Sequence, residues 1–139
     1  MRYLAEPFIL GDLKRGHAVE QVLGPAGSPE RPGICWVEIR PRHGACEVYL
    51  HSALACEPLT GDLDALPPLF DSEEEDFGLL LATTTDPLAA LDAAESSTGS
   101  VRERWVNQCM AGDEYRDYVL AGRPAAAPDG QPWPSPPPS

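Results

Sequence analysis

Hydrophobic and polar residues alternate along residues 34–51, in the segment ICWVEIRPRHGACEVYLH. A period of two is typical of β-strands that bury one face. The alternation is interrupted between Pro41 and Gly44, where a tight turn would join two strands. The segment therefore predicts an antiparallel β-hairpin, which is the centre of the predicted fold.

The position of the predicted turn sets the pairing of the two strands. With residues 41–44 in the turn, three apolar pairs lie on one face: Cys35 with Leu50, Val37 with Val48 and Ile39 with Cys46. A slip by one residue would set this face against polar neighbours, and a buried face resists such a slip. We therefore expect the hairpin to bury this apolar face.

The opposite face of the hairpin is aromatic and acidic. In the same register Trp36 lies opposite Tyr49, and Glu38 lies opposite Glu47, a like-charge pair that Arg40 on the diagonal would relieve. One interpretation is a solvated or half-covered structural face. The other is a contact surface for a basic partner, because exposed aromatic side chains concentrate binding energy. Acid–base catalysis by the two carboxylates is disfavoured, because an open hairpin face offers no cleft.

Upstream of the hairpin the pattern is less regular. Residues 8–10 predict a short edge strand, because Pro7 is tolerated where a strand begins. Residues 17–23 fit a helix or a strand. We favour a strand, since a seven-residue helix is marginal and a loop over residues 24–33 leads into the hairpin. A three-stranded meander would result.

Downstream of the hairpin, residues 52–76 predict a long surface loop that ends in the acidic run Asp71–Asp76. The apolar run over residues 77–85 predicts a strand that is covered on both faces. Asp86 and Pro87 then form a helix start, and the helix should reach about Ser97.

Two further helices are predicted near the C-terminus. Ser100 and Glu103 match a capping box. This second helix would carry an apolar stripe made of Val101, Trp105, Val106, Cys109 and Met110. Gly112 and Asp113 would end it and begin a short terminal helix that contains Tyr115 and Tyr118.

Together these elements predict a single α+β domain over residues 1–122. Its antiparallel sheet would have about four strands, in a meander centred on the hairpin at residues 34–51, with two or three C-terminal helices packed on one face. Residues 123–139 are rich in Pro and Ala and have little to bury, which predicts a disordered tail.

Charge is distributed unevenly along the 139 residues, whose formal net charge is −12. Residues 1–58 hold six Lys/Arg and seven Asp/Glu, whereas residues 59–122 hold three and fourteen. This imbalance disfavours nucleic acid, whose recognition requires cations that neutralise phosphates, and it disfavours anionic membranes. It is compatible with a basic protein partner or with a purely solubilising role.

We expect a cytoplasmic protein, because the chain shows no signal-peptide pattern and no apolar run long enough to span a bilayer. In that compartment its four cysteines should be reduced thiols, and Cys35 and Cys46 should be buried as small hydrophobic residues.

No sequence motif indicates catalysis. The chain lacks the nucleophile elbow, the phosphate-binding glycine loop and the zinc-protease motif. The pairs His43 with Cys46 and His51 with Cys56 are too sparse for a zinc site. We therefore expect no cofactor and no metal, and we favour a non-enzymatic role while enzymatic activity stays open.

Two functions fit these observations. The first is a protein-interaction module, such as an immunity-like inhibitor of a basic partner, because small acidic α+β proteins include toxin-neutralising immunity proteins. Its candidate contact residues are Trp36, Glu38, Glu47, Tyr49, Glu73, Glu74, Glu75, Asp76, Tyr115 and Tyr118. The alternative is a small-molecule-binding domain or minor enzyme that uses Trp36, Tyr49, Glu38 and Glu47, together with His51. The oligomeric state and the identity of any partner stay open.

Overall fold

The computed structural model describes residues 3–27, 32–54, 79–108, 110–122 and Trp133. These residues form an antiparallel five-stranded sheet and three α-helices, which confirms the predicted α+β class. The strand order is β4-β3-β2-β1-β5. In chain order the elements are α1 (Glu6–Lys14), β1 (Val19–Gly27), β2 (Pro32–Arg42), β3 (Ala45–Leu54), β4 (Leu79–Thr84), α2 (Pro87–Thr98), a 3₁₀ turn (Arg102–Arg104), β5 (Val106–Asn107) and α3 (Met110–Leu120).

The hairpin β2–β3 is present, but its predicted register is wrong by two residues. Its turn centres on His43 and Gly44, which both have positive φ angles of 51° and 78°. Such angles define a two-residue turn that matches the twist of a hairpin, and glycine adopts them without strain. The observed pairs include Val37 with Leu50, Ile39 with Val48, Trp36 with His51, Glu38 with Tyr49, and Arg40 with Glu47.

The predicted apolar face of the hairpin is nevertheless buried, because a shift by two residues leaves every side chain on the same face. It packs against α1 and α2 in the larger of two hydrophobic clusters. The buried members of this cluster are Ile9, Leu13, Val19, Leu23, Cys35, Val37, Ile39, Cys46, Val48, Ala90, Leu91, Ala94 and Trp105. Burial of each large aliphatic side chain contributes about 1.5–3 kcal/mol to folding.

The second face of the sheet is covered in part by α3. A smaller cluster there joins Val22, Ile34 and Trp36 of the sheet to Ala111, Tyr115 and Tyr118 of α3. Trp133 packs against the same cluster, with its ring edge-on to Tyr118 at a centroid distance of 5.7 Å. The helices are therefore divided between the two faces of the sheet instead of sharing one face.

The predicted edge strand at residues 8–10 is wrong, because these residues lie within α1. Pro7 occupies the first turn of this helix, where its missing N–H costs nothing. Ile9 and Leu13, four residues apart, are buried, whereas Phe8 faces solvent. The four-residue spacing places Ile9 and Leu13 on one face of a helix, so this segment folds as a helix and not as a strand.

Residues 19–23 form the first part of β1, and residues 17 and 18 lead into it. This confirms the preferred strand and the meander β1–β2–β3. The predicted loop over residues 24–33 is shorter than expected, because β1 extends to Gly27 and β2 begins at Pro32. Gly24 follows a bulge and has a φ of 110°, and a Cβ atom there would lie 2.6 Å from Cγ of Trp133. Only glycine fits this position without movement of its neighbours.

Helix α2 follows the prediction closely. The carboxylate of Asp86 accepts a hydrogen bond from the N–H of Ala89 at 3.2 Å, and Gly99 ends the helix in the left-handed conformation. Arg102 then ties α2 to α1. It forms ion pairs with Asp92, Glu95 and Glu6, and the closest contact with Glu95 is 2.6 Å.

The helix predicted from Ser100 and Glu103 is absent. The side chain of Gln21, fully buried in β1, donates from Nε2 to the Val101 carbonyl at 2.8 Å and accepts the Val101 N–H at 2.9 Å. Val101 is held in an extended conformation, so the chain makes only a 3₁₀ turn before β5. The predicted break at Gly112 is also wrong, because α3 runs continuously through it.

Strand β4 is present where predicted, but it is not covered on both faces. It lies at the edge of the described sheet, and Leu79 and Leu80 remain 47% and 49% exposed. The predicted acidic loop over residues 52–76 lies mostly outside the described residues, as does the predicted tail apart from Trp133.

We predict that Gln21→Leu lowers the free energy of unfolding by about 3 kcal/mol, because it leaves the part-buried N–H and C=O of Val101 without their side-chain partner. Urea unfolding followed by tryptophan fluorescence measures this change. The matched control is Gln108→Leu at an exposed position. Equal stability of the two variants would contradict the structural role of Gln21.

Candidate interaction face

Strands β2 and β3 place polar and aromatic side chains on the second face of the sheet, beside the part that α3 covers. Each of these residues alternates with a residue of the larger core cluster, so they share one face. They are Trp36, Glu38, Arg40, Glu47, Tyr49 and His51.

Glu38 is the centre of this group and is only 6% exposed. Its carboxylate accepts hydrogen bonds from Arg40, at 2.8 Å from Nη2 and 3.3 Å from Nε. Nε2 of His51 lies 2.8 Å from the Glu38 oxygen Oε1. Because a carboxylate only accepts, Nε2 carries the proton of this bond. The like-charge pair with Glu47 that the sequence predicted does not form.

Aromatic rings order the side chains around this carboxylate. The His51 ring stacks on Trp36, with centroids 5.1 Å apart and planes 15° apart, and its centroid lies 6.1 Å from that of Tyr49. The guanidinium carbon of Arg40 lies 4.8 Å from the centroid of the Tyr49 ring, a cation–π contact. The Tyr49 ring is thus fixed by contacts with two neighbours.

Burial and hydrogen bonding act in opposite directions on Glu38. Burial alone would raise the pKa of its carboxyl, but the hydrogen bonds from His51 and Arg40 outweigh burial and lower the pKa below its ordinary value. Burial, followed by the neighbouring Glu47 carboxylate, raises the pKa of Tyr49. Glu38 is therefore a charged group with partners on both sides, and its low basicity makes it a poor general base at neutral pH.

The structure separates the predicted contact residues into three groups. Trp36, Tyr115 and Tyr118 meet in the smaller core cluster, and Glu38 is buried beside them. Glu47 and Tyr49 keep part of their surface exposed. The acidic residues Glu73, Glu74, Glu75 and Asp76 lie outside the described residues. Partner contact by these residues stays a prediction, and among the described ones Glu47 and Tyr49 have the side chains that a partner could reach.

Strand β4 extends this surface with residues that the sequence did not suggest. Leu80 pairs with Tyr49, and Thr83 pairs with Glu47. Directly paired residues of neighbouring strands lie on the same face, so these four side chains form one surface, which we call the β3–β4 face. Only the pairing of β4 with β3 reveals Leu80 as a member, and no local sequence signal identifies it.

Within the residues described, no three His, Cys, Asp or Glu side chains are grouped in a way that would hold a metal ion. None of the described helices has both the length and the apolar character needed to cross a membrane. Comparison with protein-family models, curated proteins and solved structures finds no match.

We predict that Glu38→Gln lowers the free energy of unfolding by about 2 kcal/mol near neutral pH, because it removes a charged acceptor from two donors. A carboxyl whose pKa is lowered by folding stabilises the protein above its unfolded pKa and loses this contribution as pH falls through the folded pKa. The difference from the wild type should therefore shrink as pH falls from about 5 towards 3.

Urea unfolding at several pH values tests this prediction, with Glu103→Gln as the control for an exposed carboxylate. A difference between wild type and Glu38→Gln that stays constant over the whole pH range would contradict an ionised Glu38 as the source of the stability.

Proposed function

We propose that this protein is an interaction module whose β3–β4 face binds a basic segment of a partner protein. The observation that carries the proposal is the pairing of Tyr49 with the half-exposed Leu80, next to the Glu47 carboxylate. Glu47 forms no ion pair within the described residues. Apolar, aromatic and anionic groups thus share one surface.

The arrangement of Tyr49 favours binding. Aromatic side chains supply large contact areas, and interface energy is concentrated in such residues. The contacts with Arg40 and His51 hold the ring before any partner arrives. A side chain that is already ordered loses little conformational entropy on binding, which saves about 0.5–1.5 kcal/mol.

The negative net charge favours a basic partner, although some carboxylates already pair with arginines of this chain. Arg40 offsets Glu38, and the single charge of Arg102 is shared among three carboxylates at the other side of the molecule. The net charge of −12 shows that most acidic residues lack such compensation. A field of this sign accelerates encounter with a basic protein. An immunity-like inhibitor of a basic toxin is the narrower form of the proposal.

The alternative, a small-molecule site or minor enzyme at Trp36, Glu38 and His51, has weaker support. Both Trp36 and Glu38 are buried, and the Glu38 carboxylate already binds two cationic or polar donors. A ligand would have to break these hydrogen bonds before it could use the carboxylate.

Affinity capture from the producing cells at about 50 mM salt, followed by mass spectrometry, identifies partners for titration calorimetry with purified protein. We expect a basic partner whose affinity falls about 10-fold with Glu47→Gln or with Leu80→Ser, and falls again at about 300 mM salt. The matched controls are Glu103→Gln and Leu120→Ser, at exposed positions away from this face.

Binding that is indifferent to salt, or that Glu47→Gln and Leu80→Ser leave unchanged relative to their controls, would overturn the proposal. Capture that yields no basic partner would count against it equally.

A further inference from the structure

A second candidate site lies at the opposite side of the hairpin, where a cavity of about 340 Å³ opens at one end of the sheet. The C-terminal end of α1, the β2–β3 turn and the start of α2 surround it. The charged and polar side chains in its wall include Lys14, Arg42 and His43, and its apolar wall includes Leu13, Pro41 and Cys46.

Lys14 and Arg42 differ from most described cations of this acidic protein. Arg15 pairs with Asp12, Arg40 pairs with Glu38, and Arg102 pairs with three carboxylates. In the part of the chain that the structure describes, Lys14 and Arg42 form no ion pair, and both are exposed. Two cations that form no ion pair within the described residues therefore line one cavity.

No carboxylate lines this cavity. Asp86 is the nearest acid along the chain, and it is occupied in capping the N–H of Ala89 at the start of α2. Because Pro87 has no N–H and Asp86 takes that of Ala89, the helix itself supplies few donors. Recognition of a ligand would depend on the two cationic side chains.

The thiol of Cys46, in the apolar part of the cavity wall, carries no charge. Burial, followed by the nearby Asp86 charge, raises the pKa of the Cys46 thiol, so this side chain stays protonated at neutral pH. The distant acidic residues of the protein are largely screened, since the Debye length is about 8 Å at physiological ionic strength. Lys14 and Arg42 are therefore the cations that a small ligand meets in the cavity wall, and Asp86 is a nearby carboxylate whose charge opposes theirs.

We propose that this cavity binds a small organic anion, with its phosphate or carboxylate group between Lys14 and Arg42 and its apolar body against Leu13, Pro41 and Cys46. The volume is at the lower end of the range for small-molecule sites, about 300–1,000 Å³. The guanidinium of Arg42 offers two parallel donors, which suit both kinds of oxyanion. The cavity adjoins the β3–β4 face, because the charge of Arg42 also reaches Tyr49.

Titration of the ¹⁵N-labelled protein with phenyl phosphate, benzoate and inorganic phosphate tests the proposal. We expect saturable shifts of the Gly16 and Gly44 amides, with a Kd of about 1 mM for the better of the two aromatic anions and weaker binding of inorganic phosphate. Comparison of phenyl phosphate with benzoate identifies the preferred head group.

Arg42→Ala and Lys14→Ala should each weaken this binding about 10-fold, whereas Arg116→Ala, which removes an exposed cation on α3, should change it less than about 2-fold. Arg42→Lys keeps the charge but loses the paired donors, and should give an intermediate affinity. The replaced side chains are exposed, so the variants should fold, as amide spectra will show.

Shifts that do not saturate, shifts that lie away from Gly16 and Gly44, or an equal effect of Arg116→Ala and Arg42→Ala would overturn the proposal.

Discussion

The burial of β1 and β2 on both faces is the constraint on which the rest of the structure depends. A strand with two buried faces cannot leave a polar side chain without partners, because each unsatisfied group costs about 1–3 kcal/mol. Gln21 meets this requirement on one face with the backbone of Val101, and Glu38 meets it on the other with Arg40 and His51. The hydrogen bonds of Gln21 hold Val101 in an extended conformation before β5. Those of Glu38 order the side chains of the candidate interaction face.

The internal pairing of Glu38 determines what the surface offers to a partner. Arg40 is drawn towards Glu38, and the same guanidinium packs over Tyr49. Glu47, directly opposite Arg40 in the sheet, therefore keeps its charge without an ion pair in the described structure. A buried carboxylate thus positions the aromatic ring and leaves a second carboxylate outside any ion pair of the described structure, so that a structural network produces a polar edge beside an exposed leucine.

Alternation along residues 34–51 was sufficient to predict which side chains share a face, but not which residues pair. The buried face excludes a slip by one residue but permits a slip by two, and only the turn distinguishes the remaining registers. His43 and Gly44 at the centre of the turn fix the observed register. Leu80 could not be predicted at all, because its neighbour Tyr49 is 31 positions earlier and the two meet only through strand pairing.

Predictions from local sequence motifs were wrong where a side chain distant in sequence competed with the local interaction. The capping box at Ser100 and Glu103 was outweighed by Gln21, which lies 80 positions away from Val101 and holds its N–H and C=O. The same non-local control acts on the cavity, because Lys14 of α1 and Arg42 of β2 line one cavity only after the sheet and the helix have packed together. The hairpin register places Tyr49 and Glu47 on one face and Arg42 at the end of the sheet beside the cavity. A change in that register would therefore alter both candidate sites at once.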